Sequence, residues 1–201
     1  MAKESVAKLM QGNPRIPKIL KELQGFSVSV LTGANADTKI DLAAIRTEDT
    51  VISAILSDGT TLTDITADHS IVDLRASGTL TLGTVVANNT ATVNGRVFTF
   101  KATPTGVQEV ALGADADAAA ANLAAAINAV EGNTVTASAA SNVVTVKANA
   151  EGTGGNAIAI VGGSNVTASG ATLAGGSATG GVKFSSSTAT KQVLLFWFNK
   201  R

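Results

Sequence analysis

Apolar and polar residues alternate along Phe26-Ser-Val-Ser-Val-Leu31, the period-two pattern of a strand with one face buried. Thr38–Leu42 alternates more weakly, and Thr50–Leu56 is a stronger run followed by the tight-turn pair Asp58-Gly59. Thr61–Thr66 and Ser70–Leu74 read as further strands, too few to close a sandwich on their own. Thr90–Val93, Asn94-Gly95 and Arg96–Phe100 spell a hairpin, because Asn-Gly supplies the two positive φ angles of a type I′ turn. The pattern then turns helical. Asp115–Val130 is rich in Ala, the best helix former, and Asp115 and Asp117 complement the positive dipole of its first turn. Gly132 suits the left-handed residue that ends a helix. Leu123, Ile127 and Val130 form the buried stripe, among alanines that allow close approach to a sheet. Thr134–Ala137, Val143–Lys147 and Ala157–Val161 follow as strands, with a fourth near Val166–Leu173.

Residues 177–181 (SATGG) read as a flexible joint, after which Val182–Phe184 and Gln192–Phe198 are two last strands. Val193-Leu-Leu-Phe-Trp-Phe198 is the most hydrophobic stretch of the chain. Left at an open edge it would template aggregation, so it must be covered. The simplest cover is the sheet begun by residues 26–76, which makes the middle of the chain an insertion. The predicted fold is therefore mainly β (α+β). Residues 26–76 and 182–201 form a discontinuous, β-sandwich-like outer domain, and residues 77–181 form an inserted module of strands plus one Ala-rich helix. Residues 1–25 form an N-terminal arm with short helices around Glu4–Met10 and from Pro17 to Leu23. Pro17 is tolerated at a first helical position, where its missing N–H would have been unpaired. In the second patch Ile16, Ile19, Leu20 and Leu23 share one face, with Lys18, Lys21 and Glu22 on the other.

Net charge is zero, with 15 basic and 15 acidic side chains, so nothing points to a nucleic-acid or anionic membrane partner. The distribution is uneven. Residues 1–25 carry +3 and residues 182–201 carry +4, whereas residues 26–76 carry −5 and residues 77–181 carry −2. Basic ends around an acidic body suggest contacts between subunits of opposite sign. Arg15, Ile16, Lys18, Ile19, Leu20, Lys21, Leu23, Lys200 and Arg201 are accordingly the candidate partner-binding residues. No segment approaches the roughly 20 apolar residues that span a bilayer. The opening MAKESVAKLMQGNPR lacks an apolar signal core, so a soluble protein made in the cytoplasm is expected.

Two stretches resemble known phage proteins. GTLTLGTVVANNTATVNGRVFTFKA, VALGADADAAAANLAAAIN and VTVKANAEGTGGNAIAIV, in that order, resemble a module recurring in tailed-phage structural proteins: an NG hairpin, an Ala-rich helix and an AxGxxGNxI stretch. It covers about half the chain. FSVSVLTGANADTKIDLAAIRTEDTVISAI with the closing VLLFWF resembles small phage β-domain proteins found on virions, which lack the roughly 100 residues inserted here. The resemblance implies a virion protein assembled in the host cytoplasm, foremost a capsid decoration (cement) protein bridging major capsid subunits. It also suggests a homotrimer. Similar modules in tail, baseplate and fibre components supply the alternative.

Catalytic chemistry finds little purchase. Cysteine is absent, and the single histidine lies in Asp68-His69-Ser70, where neighbours on a strand point to opposite faces and work against a relay. Gly152–Ala157 matches G-x-G-x-x-A, but the strand pattern after it suits a tight turn better than a dinucleotide site, which requires a helix there. Asp115 and Asp117 lack the oxygen spacing of a calcium loop, and one His without Cys excludes ordinary zinc ligation. Asn88-Asn-Thr90 and Asn165-Val-Thr167 match glycosylation acceptors, which carry no weight without a secretory signal. Paired carboxylates for glycoside cleavage can come from distant strands, yet such sites usually add aromatic platforms, and aromatics are only 3% of this chain. No cofactor or metal is expected, and the chain reads as a non-enzyme.

Overall fold

The structure is a computed structural model, and it describes residues 26–200. The predicted arm, with its helices, and Arg201 lie outside the described residues. The chain divides into two compact units. One holds the described residues up to Asp73 together with those from Thr179 onward, and the other is Leu74–Ala178.

The first unit contains strands β1 (Phe26–Thr32), β2 (Ile40–Asp41), β3 (Thr50–Ser57), β4 (Leu62–Asp64) and β5 (His69–Ile71). It is completed by β14 (Gly181–Phe184) and β15 (Gln192–Phe198). They form a four-stranded sheet ordered β1-β15-β3-β4 and a three-stranded sheet ordered β2-β14-β5, antiparallel throughout. Leu31, Val51, Ala54, Val193, Leu195 and Trp197 of the larger sheet share one core with Val182 and Phe184 of the smaller. This is the sandwich-like arrangement expected of the outer strands. The hydrophobic last strand lies between β1 and β3, with Val30 opposite Leu194 and Leu194 opposite Ile55. A bulge opposite Phe196 and Trp197 leaves Ile52 outside the ladder and 51% exposed.

The second unit contains β6 (Arg75–Leu82), β7 (Thr90–Val93), β8 (Arg96–Lys101), β9 (Glu109–Ala111) and helix α1 (Ala116–Asn128). After the helix come β10 (Val135–Ala140), β11 (Val143–Glu151), β12 (Ile160–Gly162) and β13 (Val166–Ala168). Two four-stranded sheets, β10-β11-β6-β13 and β12-β7-β8-β9, share a core with α1. The chain is thus mainly β with one helix. Asn94 and Gly95 both have positive φ, 51° and 74°, as the β7–β8 hairpin requires. The Asp115 carboxylate accepts the Ala118 N–H at 2.8 Å and caps α1. Ala119, Ala120, Leu123, Ala124 and Ile127 are its buried face.

Several expected elements shift for local reasons. The strand expected over Thr61–Thr66 stops at Asp64, whose carboxylate takes both the N–H and the O–H of Thr66 and starts a 3-10 turn over Thr66–Asp68. The strand expected over Ser70–Leu74 is β5, which ends at Ile71 because Leu74 and Arg75 belong to the next unit. The second unit also starts and ends slightly before residues 77 and 181, since β6 begins at Arg75 and β14 at Gly181. The helix expected to run to Val130 ends at Asn128, where the Asn133 side-chain amide donates to the Ile127 carbonyl at 2.6 Å. Residues 153–157 form a 3-10 turn, so the strand expected from Ala157 begins at Ile160. The last strand of the module shortens to Val166–Ala168. Arg75–Leu82 and Glu109–Ala111 are strands that the alternation did not single out.

Gly33 shows how closely the first unit is packed at its loops. The Thr188 hydroxyl accepts the Ala34 N–H at 3.0 Å and donates to the Ala34 carbonyl at 3.2 Å, and Thr188 is 2% exposed. A Cβ on Gly33 would meet the Thr188 carbonyl oxygen at 1.8 Å. Gly33→Ala is expected to destabilise the chain by several kcal/mol, within the roughly 3 kcal/mol and more that forced backbone displacement and overpacking cost. Thr188→Val should cost only about 1–2 kcal/mol, the loss of its hydrogen bonds. Denaturant unfolding of both variants checks this order, and an equal cost would contradict it.

Candidate interaction surface

Residues of β15 alternate between the two faces of its sheet, and both faces are apolar. Val193, Leu195 and Trp197 point into the core at 0–2% exposure. Leu194, Phe196 and Phe198 point to the other face. There, Leu194 sits between Val30 and Ile55, and Phe196 lies opposite Val28. Val30 is 37% and Phe198 43% exposed, whereas the central Leu194 is 9% exposed. The result is an apolar patch on the outer side of the larger sheet, outside the shared core.

The same ladder fixes where the chain enters and leaves. Phe26 of β1 stands opposite Phe198 of β15, so residues preceding β1 and residues following β15 leave from one end of the sheet. That exit is held. The buried Asp49 carboxylate accepts the backbone N–H of Lys200 at 3.2 Å with one oxygen and that of Arg46 at 2.9 Å with the other. Lys200 itself is exposed. Of the predicted partner-binding residues it is the one the structure describes. Arg15, Ile16, Lys18, Ile19, Leu20, Lys21, Leu23 and Arg201 lie outside the described residues.

Elsewhere, polar side chains are committed to the chain's own turns. The Asp58 carboxylate accepts the N–H and O–H groups of Thr60 and Thr61 at 2.7–2.8 Å. Glu109 accepts the Thr105 and Gly106 N–H groups at 2.7 and 3.2 Å, and the Thr105 hydroxyl at 3.0 Å. His69 donates its Nδ1–H to the Thr66 carbonyl, which ties the ring to the 3-10 turn that precedes β5. In the Gly152–Ala157 turn, Asn156 and Gly176 exchange two hydrogen bonds of 2.9 and 3.0 Å. A Cβ on Gly155 would meet the Ala148 and Ala76 methyls at 2.7 and 2.9 Å, so this glycine serves close packing. Among the described residues no group of three or more His, Asp or Glu side chains is placed to hold a metal ion. No helix among them is long and apolar enough to cross a membrane.

The outer apolar patch and the buried Asp49 clip were not picked out by sequence reasoning. The first had a signal, since VLLFWF does not alternate and a strand apolar on both faces must meet something on each. The second had none, because Asp49 and Lys200 are 151 residues apart. No protein family, curated protein or solved structure matches this chain.

Three carboxyls are held below the ordinary carboxylate range. The backbone N–H of Thr61, with the Thr60 and Thr61 hydroxyls, does so for Asp58, and the Thr66 hydroxyl and N–H do so for Asp64. The Thr105 N–H and hydroxyl lower Glu109. Each group is more acidic folded than unfolded. Its contribution is therefore complete above the unfolded value of about 4 and is lost as pH falls through the lower folded value. The unfolding temperature should decline on acidification below about pH 4, and Asp58→Asn should flatten part of that decline. An unchanged slope in Asp58→Asn would remove the Asp58 turn from the account.

Proposed function

We propose that the chain is a capsid decoration (cement) protein of a tailed bacteriophage, which binds and stabilises the lattice of the major capsid protein through protein–protein contacts. The observation that carries this reading is the register of Phe26 opposite Phe198. It puts the start of β1, which the basic stretch of residues 1–25 precedes in the sequence, and the end of β15, which Lys200 and Arg201 follow, at one end of a sheet whose own region, residues 26–76, carries −5. Basic segments joined to one end of an acidic sheet suit neighbours of opposite sign, including copies of itself in a trimer. The ordered resemblance of residues 77–176 to phage structural modules supports the same reading. Cementing then follows from mass action: a protein that binds only the assembled lattice shifts the equilibrium towards it.

Imaging intact particles tests the assignment. A decoration protein is expected in hundreds of copies over the capsid surface, the order set by lattice subunits, each site offering the same contact. A few copies at the tail would instead identify a tail, baseplate or fibre component and overturn the reading. Particles lacking the protein should lose integrity sooner under heat or osmotic challenge. Capsid occupancy should also fall with rising salt, because exposed charge pairs are screened within about 8–10 Å at physiological ionic strength. Lys200→Gln with Arg201→Gln should lower occupancy at low salt and weaken its salt dependence. Occupancy indifferent to both changes would take the basic ends out of the mechanism.

A further inference from the structure

We infer that the Asn128 side chain is a stopper on the open edge of β10, and that without it two copies of this chain pair edge to edge through that strand. β10 is the outermost strand of its sheet, beside β11 and with no strand beyond it among the described residues. It is six residues long, whereas the other edge strands of this unit, β9, β12 and β13, have three each. A strand at a sheet edge is normally guarded by charge, proline, a bulge or short length. β10 reads Val-Thr-Ala-Ser-Ala-Ala140, with no charge, no proline and an unbroken register against β11. Thr136, Ser138, Ala139 and Ala140 are exposed. A different guard is needed here.

The last residue of α1 supplies it. The Asn128 side-chain NH2 donates to the Ala137 carbonyl at 2.8 Å, and its oxygen accepts the Ala137 N–H at 2.8 Å. The N–H and C=O of one residue point to the same side of an antiparallel strand, so Ala137 faces away from β11, as do Val135 and Ala139. These three are the positions that a further strand would have to pair. Asn128 takes the middle one with the planar amide a neighbouring strand would bring, donor and acceptor on one group. The Asn133 side-chain oxygen accepts the Val135 N–H at 3.4 Å, while its NH2 donates to the Ile127 carbonyl at 2.6 Å. Ala139 is left as the outward position that neither asparagine touches. One residue is too little to seed a ladder, since outward positions recur only every second residue, about 7 Å apart.

A second copy is the partner this edge fits. Two β10 strands meeting antiparallel about a twofold axis set the same uncharged residues against each other, so no like charges are opposed. The stopper belongs to the second unit alone. It goes beyond the virion reading and does not rest on it.

Sedimentation of the full-length chain over a concentration series tests the stopper. Asn128→Ala is expected to form a larger species than the parent chain at a concentration about tenfold lower, the effect of a few ladder hydrogen bonds regained. Adding Ala139→Pro, which is tolerated where an edge N–H faces solvent and cannot donate to a second strand, should restore the parent's behaviour. Asn128→Ser, whose short hydroxyl cannot span both Ala137 groups, should behave like Asn128→Ala and repeats the test with a polar residue. In dilute samples the Ala137 amide hydrogen should exchange several-fold faster in either variant than in the parent, because its acceptor is gone. Association unchanged in both variants overturns the proposal, and so does association that Ala139→Pro leaves intact. Ala137 exchange unaltered by either substitution overturns the stopper itself. All of these measurements use the protein alone and need no capsid, so their outcome is separate from that of the particle experiments.

Discussion

The antiparallel pairing of β15 with β1 on one side and β3 on the other is the contact on which the first unit depends. Among the described residues it is the least local strand pairing, since Val30 and Leu194 are 164 positions apart in the sequence. Without it, β1 has no partner strand and the shared core loses Val193, Leu195 and Trp197 at one stroke. Burying three large apolar side chains is worth roughly 1.5–3 kcal/mol each. That exceeds what an edge hairpin could supply. Trp197 illustrates the balance. Its indole N–H is buried without a hydrogen-bond partner, so the volume it fills outweighs the roughly 1–3 kcal/mol that an unpaired buried donor costs.

A closure this distant raises the question of how the intervening residues are tolerated. Closing a flexible loop of about 100 residues costs roughly 4 kcal/mol in chain entropy. Each unit lessens this by joining its own ends. In the second unit the Ser177 N–H donates to the Leu74 carbonyl at 3.1 Å. In the first, the Val72 N–H donates to the Gly181 carbonyl at 3.0 Å. Once residues 74–178 are folded, the strands before and after them are held as if by a short turn. The β7–β8 hairpin and the helix are local contacts, whereas the host sheet depends on the distant β1–β15 pairing.

How much of this was legible depended on whether the signal was local. The type I′ hairpin at Asn94-Gly95, the helix beginning at Asp115 and the alternation of Phe26–Leu31 are written in adjacent residues, and each forms close to where it was expected. The placement of β15 was legible for another reason: a run apolar on both faces has few stable positions outside the middle of a sheet. Boundaries failed where side chains capture the backbone, as Asp64 does at Thr66 and Asn133 at Ile127. β6 was missed because Arg75–Leu82 straddles the junction of the units and mixes glycine and threonine into its pattern. Asp49 holding Lys200 across 151 residues of sequence could not be read from either neighbourhood.

The geometry of the exit ties the two faces of β15 to the charge of the chain. A central strand must be flanked on both edges, and antiparallel flanking by β1 puts the start of one beside the end of the other. The chain therefore enters β1 and leaves β15 at the same end of the sheet as a consequence of covering an apolar strand, with no further device needed. The Asp49 carboxylate, accepting the Lys200 N–H, then fixes the direction in which that residue leaves the sheet. A contact between subunits that relies on charge gains selectivity from such placement, because like-charged neighbours are rejected as firmly as opposite ones are accepted. Apolar burial sets the architecture, and the point where the chain enters and leaves the sheet inherits its position from it.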